Sequence, residues 1–474
     1  MNEPIAIAFA ALVLAGLGAC GDDGAPEPDA GPPPRDAGPP PMALRYTPEG
    51  CSYEVRVQPL SESGEGGDVL GAAPSLSQVH VSWAGPTDST FAVNWRSDLE
   101  TTVSDVIFGT DRAAVEAAEG EDAGAGVLLR SGHHLFFEDV TGVQLRLHEV
   151  HVCGLDPSTV YYYKVGGMGT WSAVHEVATG PVVGSSDPIR FAVTGDSRNE
   201  AIVFAEIQRR LRDEAVDFQI FTGDAVEFGF NQADWDAWFA AEFDGIRVED
   251  ALADSVLMPS VGNHDGLADN YVLQFALPQE ESPLEQGGGE QWYAFDYGGA
   301  HIVVLDTSTP NELVEGPQAE WLEADLAAVD RAVTPWVFAL HHYATYSCSH
   351  RHGSQIDIRA AWQPSYDRHG VDVVFTGHDH NYERSLPIRG LDAMGEGVVA
   401  VSGPDGEPVD ESGTVYVVSG GSGAPLYGID ADCYHTRAAE STHNYVVVEL
   451  DGRTLRYAAY RLDGTLLDSF EYTK

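Results

Sequence analysis

Five short polar clusters, each following an apolar run, carry the residue types that could do chemistry. They are Gly195-Asp196-Ser197-Arg198, Gly223-Asp224, Gly262-Asn263-His264-Asp265, His341-His342 and Gly377-His378-Asp379-His380. Singly, each is an ordinary turn. Together they supply carboxylate, carboxamide and imidazole donors that can converge at one edge of a sheet and hold two hard-to-borderline divalent ions; five unrelated turns are the weaker reading. Two such ions lower the pKa of a bound water, orient it in line with phosphorus and bind the nonbridging oxygens of an ester, so hydroxide attacks directly and no phosphoenzyme forms. Composition agrees with this chemistry. Against 74 Asp and Glu stand 25 Lys and Arg, a formal net charge of -49, which repels nucleic acid and anionic lipid. A duplex-binding role is therefore disfavoured, and a phosphate enzyme with this charge needs a local positive source. With Asp196 and Asp224 as anionic ligands, two divalent ions leave a centre of about +2, or about +1 if Glu227 also binds.

The elements that must position these clusters alternate. From Pro188 onward, strand signals at Phe191 to Thr194, FQIFTGD, Val256 to Pro259, His301 to Leu305, Trp336 to Leu340 and Val371 to Phe375 are interleaved with helical patterns. Those patterns cover Asn199 to Asp213, with Val203, Ile207 and Leu211 on one face, then Trp235 to Phe243 and Pro317 to Val329. This predicts α/β organisation over 188–474 with polar residues at the carboxyl ends of strands, and a β-rich end from about Thr414. Before it, VHVSW, FAVNW, SDVIFG, HEVHV and VYYYKVG are short alternating runs between turns, which predicts a β-sandwich over 51–182. The sandwich reads as packing or presentation, and His133, His134, His148 and His151 as ordinary surface or strand residues.

The ordered series GD, GD, GNH, a His after an apolar strand, and GHxH resembles the calcineurin-like metallophosphoesterases. GHDHNYERS behind a β-sandwich resembles their purple acid phosphatase branch, with His378, His380, Tyr382, Glu383 and Arg384 fitting its pattern; Leu155-Asp156-Pro157 before Tyr161 to Tyr163 resembles the end of a fibronectin type III-like domain. The likeness implies two packed mixed β-sheets flanked by helices and an acid phosphatase-like hydrolase of small phosphate monoesters. It further implies that Asp224 bridges two ions (Fe, Mn or Zn), with Asp196 and His380 on the first and Asn263, His341 and His378 on the second. His264 would be the catalytic histidine outside the ligand shell and His350 a substrate-binding one. His352, Arg351 and Arg198 are further candidates for the phosphate. Two residues depart from the pattern. The branch's Fe(III)-binding Tyr is replaced by Glu227, which implies a colourless or weakly coloured enzyme with Glu227 a ligand or behind the ligands, and the Asp-x-His of related families is replaced by Arg198. The first site is then weak, non-iron or completed by water. Asp265, at a position where Glu is usual, would orient His264. Two alternatives stay open: a phosphodiesterase for nucleotides or phospholipid headgroups, and a surface binding protein with a decayed site.

The N-terminus reads as an export signal over 1–20, with an apolar run from Ile5 to Ala19 and Leu17-Gly18-Ala19-Cys20 resembling a lipobox. Cys20 would carry lipid, the only membrane attachment, followed by a Pro/Gly/Asp-rich tether over 21–50. This places the protein in a bacterial cell envelope or outside the cell. Pairing Cys51 with Cys153 and Cys348 with Cys433 keeps each bond inside one domain, and free buried thiols are the alternative. Leu267 to Gln291 and Pro387 to Glu411 read as rim loops or passive surface.

Overall fold

A computed structural model describes residues 44–57, 62–120, 124, 126–266, 268–279, 289–430 and 432–474. Cys20, the signal segment, most of the tether and much of the loop after Leu267 lie outside the described residues. Structure begins before residue 50: Arg45–Tyr46 pairs with Val55–Arg56, and Cys51 is bonded to Cys153 and Cys348 to Cys433.

The N-terminal half folds as two antiparallel sheets. One runs Glu62–Glu65, His133–Glu138, Gln144–Cys153, Thr90–Ser97, Ser77–Ser82; the other joins Thr170–Trp171, Val160–Gly167, Asp105–Gly109 and Val127–Ser131, with His175–Ala178 also on Val160–Gly167. Alternation along these strands buries Val79, Val81, Val93, Trp95, Val150 and Val152 between the layers.

From Ile189 the chain builds two mixed sheets. Ile189–Thr194, Phe218–Phe221 and Val256–Pro259 run parallel, and Ile189–Thr194 pairs antiparallel on its other side with Asn444–Asp451. In the second sheet Ala300–Val304, Trp336–Leu340, Val373–Thr376 and Val415–Ser419 run parallel. The sheets meet face to face through Phe191 and Phe218 on one side and Phe338 and Phe375 on the other. Ring centroids lie 5.2 Å apart for Phe191 and Phe218 and 5.3 Å for Phe191 and Phe338. Each of these buried rings contributes about 2 kcal/mol. Helix Ala201–Glu214 covers the first sheet through the predicted Val203, Ile207 and Leu211, and ends at Ala215 in the left-handed region. The second predicted helix spans Gln232–Ala240 and gives way to a short strand at Glu242–Phe243. Helix Ile356–His369 carries no clear sequence signal because Pro364 interrupts its pattern.

The sandwich and the α/β region share a core. Trp83, wholly buried, lies 5.4 Å from both Phe218 and Tyr297 and donates its backbone N–H to the Met258 sulfur. Tyr163 donates its hydroxyl to the Ala253 carbonyl at 2.6 Å, and Asp139 accepts from the Gln232 N–H at the start of its helix.

The four sandwich histidines are strand residues but not surface ones: His133, His134, His148 and His151 are all buried. His148 stacks on Trp95 between the hydroxyls of Ser97 and Ser104. His133 meets the Tyr46 hydroxyl at 2.9 Å and lies 3.8 Å from Glu149, which also binds His151 at 2.8 Å and Asn94 at 3.1 Å. Burial lowers His133 from 6.5 to about 4 despite the nearby Glu149 carboxylate. Between these two pH values the unfolded chain takes up a proton that the folded chain refuses, so stability falls as the solution is acidified. The fall from pH 7 to pH 5 is about 2 kcal/mol. Urea unfolding at the two pH values should show a loss about 2 kcal/mol smaller in His133→Gln than in the wild type, in which other buried histidines add to the fall; equal losses would refute the assignment.

Candidate metal centre

Parallel pairing sends the carboxyl ends of Ile189–Thr194, Phe218–Phe221 and Val256–Pro259 to one edge, and those of Trp336–Leu340 and Val373–Thr376 to the edge packed against it. The turns that leave these strands are forced. Asp196, Asp224 and His378 adopt φ of +56°, +58° and +66°, a left-handed geometry that costs about 1 kcal/mol at each side-chain-bearing residue. Two glycines allow the loops to close. A Cβ at Gly262 would lie 2.2 Å from the Asp224 nitrogen, and one at Gly377 would lie 2.3 Å from a carboxylate oxygen of Asp196. Asp265 ties the second and third loops together, accepting from the backbone N–H groups of Asp224 at 2.7 Å, Ala225 at 2.9 Å and Gly262 at 3.1 Å. It reaches the backbone under the site rather than the His264 ring.

Two donor groups result, each with ligand atoms within 4.8 Å of one another: Asp196, Asp224 and His380, and Asp224, His342 and His378. Asp224 belongs to both. Asn263 adds its amide oxygen 3.0 Å from His342 Nε2. Carbonyl oxygens fix the rings, Thr222 accepting from His342 Nδ1 and Pro425 from His380 Nδ1, each at 2.7 Å, so Nε2 faces the donors. Burial, and then the Arg198 charge, lower His380 to about 3, and burial takes His378 well down, so both rings are neutral and free to ligate. Burial opposes charging of His342, but Asp224 outweighs it and raises that ring to about 9. Burial above all raises Asp196 well above the usual carboxylate range, with Asp224 adding to the effect against the pull of His342; Asp224 itself is held low by His342, His264 and Arg198 despite its burial. Asp224 Oδ2 is buried without a hydrogen-bond partner. An orphaned carboxylate oxygen beside the neutral imidazoles of His378 and His380 and a carboxamide fits a divalent cation, which would take the place of the His342 proton, so these residues suit the ions that the resemblance implies.

His341, the ligand that the resemblance implies, points elsewhere. Its Nδ1 meets the Tyr343 carbonyl at 2.9 Å, its Nε2 the Thr345 hydroxyl at 3.3 Å, and its edge the Trp362 ring. Neighbouring side chains leave a strand on opposite faces, so of His341 and His342 only His342 enters the cluster. Glu227 lies outside both donor groups; its carboxylate accepts from Arg198 Nη1 at 2.5 Å and Asn199 Nδ2 at 2.7 Å. Arg198 leans into the centre, with Nε 3.4 Å from Asp224 Oδ2 and Nη2 3.4 Å from His380 Nε2. His264 borders it, donating its backbone N–H to Asp224 Oδ1 at 2.9 Å, with Nδ1 2.8 Å from the Glu227 carbonyl. His350 is exposed and ties to the Gly428 carbonyl through its backbone N–H. His352, exposed as well, sets its ring 4.0 Å from that of His378. Two aromatic neighbours carry no motif in the sequence: Tyr343, 4.4 Å from His378, and Tyr427, stacked on His380 at 4.0 Å with the Arg351 guanidinium 5.9 Å from its ring centre. Elemental analysis of purified variants should separate the two histidines. His342→Ala loses bound metal, whereas His341→Ala keeps it and unfolds at lower temperature; the reverse pattern would refute this geometry.

Residues 189–382 match the calcineurin-like phosphoesterase family and residues 76–179 the N-terminal domain of purple acid phosphatases. Purple acid phosphatase 21 of Arabidopsis thaliana is 34% identical over 254 residues, covering 51% of this chain and 54% of that protein, so the chain spans about half the length of that relative. Phosphoenolpyruvate phosphatase of Allium cepa is 25% identical over 402 residues, covering 80% and 77% respectively. A purple acid phosphatase from yellow lupin (Lupinus luteus) seeds shares the fold with a TM-score of 0.69 at 20% identity, over 84% of this chain and 74% of its own. The chain thus joins a region that matches the N-terminal domain of purple acid phosphatases to one that matches the calcineurin-like phosphoesterases.

Proposed function

We propose that this chain hydrolyses phosphate monoesters at two adjacent cation positions that share Asp224. The observation that carries this reading is the double membership of Asp224, one buried carboxylate within reach of both donor groups. Ions held there would supply positive charge for the ester oxygens and an acidified water. The residues of the chain do the rest. His264, fixed through its backbone to Asp224 and through Nδ1 to the Glu227 carbonyl, is placed to pass a proton to the leaving oxygen. His352, lowered to about 4 first by burial and then by Arg351, is neutral and serves as a hydrogen-bond partner for the ester rather than as a fixed charge. Arg351 lends charge at the rim, taking the part that the resemblance gives to His350. Glu227, already paired with Arg198, stands behind the ligands.

Export with lipidation at Cys20 is part of the same proposal, supported by the N-terminal sequence and by two disulfides that suit an oxidising compartment. Fe, Mn and Zn all suit the donors. With glutamate in place of tyrosine at 227, the loaded protein should lack the phenolate charge-transfer colour.

The decisive assay uses the chain from Leu44 onward on p-nitrophenyl phosphate, before and after chelation and metal return. Hydrolysis should fall about a hundredfold on chelation and recover with the ions. Faster turnover of bis(p-nitrophenyl) phosphate would transfer the proposal to diesters. No turnover with ions restored would favour the binding-protein alternative.

A further inference from the structure

We propose that Arg198 and a metal ion are alternatives at the first cation position, so that the centre holds one ion tightly and a second only weakly. The inference rests on the metal-centre reading above and goes further by making the two positions unequal. The second position, at Asp224, Asn263, His342 and His378, has four donors from four separate loops. The first has Asp196, Asp224 and His380, and a guanidinium already stands against two of them. Arg198 Nε is 3.4 Å from Asp224 Oδ2, and Nη2 is 3.4 Å from His380 Nε2, while the side chain is 11% exposed. Both Arg198 Nε and Asp224 Oδ2 are buried without a hydrogen bond. They face each other as charges, with the carboxylate lone pair still unspent.

Guanidinium cannot ligate a metal and cannot lose its proton in this setting. It therefore opposes a neighbouring cation by like charge, and it occupies the approach to His380 Nε2 and Asp224 Oδ2. Glu227 makes the arrangement hold. Its carboxylate grips Nη1 at 2.5 Å and also binds Asn199, so the nearest candidate for a fourth ligand is spent on keeping Arg198 in place. With no metal at the first position, Arg198 itself would supply positive charge there.

The test is equilibrium dialysis of the metal-stripped chain against Mn2+ over a wide concentration range, for the wild type and Arg198→Gln. In the wild type, one ion should bind first and a second only at tenfold or higher free Mn2+. In Arg198→Gln, the second affinity should move to within about threefold of the first. Two equally tight ions in the wild type, or an unchanged gap in the variant, would overturn this proposal alone. No bound ion at any concentration would overturn the metal-centre reading with it. Should the variant not fold, the wild-type isotherm still decides.

Discussion

The carboxylate of Asp265, closed over the backbone amides of Asp224, Ala225 and Gly262, is the bond on which the centre depends. Two loops leave neighbouring strands with their amides pointing inward, away from water, and one buried carboxyl beneath them satisfies all three donors at once. That anchorage holds Asp224 in its left-handed conformation and brings the Gly262 loop so near that no side chain fits between. Asn263 and His264 then extend from the same loop, so the ligand and the proposed proton carrier take their positions from one buried carboxylate.

Above this anchor the structure gathers negative charge in a molecule that already has a large excess of it. Asp196 and Asp224 are buried side by side, and the two respond oppositely to confinement, one pushed toward its neutral form and the other held ionised by His342, His264 and Arg198. A buried carboxylate without a partner is costly. The family meets that cost with cations, and here part of the compensation is a residue of the chain itself.

The sequence showed the order of the loops clearly because glycine, aspartate and histidine at strand ends leave a local pattern. It did not show which side chain of an adjacent pair faces inward. His341 and His342 are chemically identical, and the difference between them is the face on which each leaves the strand, which depends on the Trp362 helix that Pro364 hides. His350 and His352 differ in the same way, by the path of a loop tied at Gly428. The sandwich histidines escape the sequence for another reason: alternation reports which faces are apolar, and a polar group hydrogen-bonded inside a strand layer, as His148 is between two serines, breaks the pattern without leaving the core. Arg198 and Glu227 stand out in the sequence as departures from the pattern, but their pairing spans 29 residues and is visible only in three dimensions. Tyr427 had no signal at all.

The position of Trp83, against Phe218 and Tyr297 and bonded to Met258, bears on how such a protein can be inherited. Its two halves are not beads on a string. The ring belongs to the sandwich by sequence, yet the face it covers includes Phe218, on a strand whose carboxyl end leads directly to Asp224. A catalytic half cut free would present those rings to water and invite aggregation. Exchange of the sandwich for an unrelated module would leave that face uncovered unless the replacement brought apolar surface to fill it.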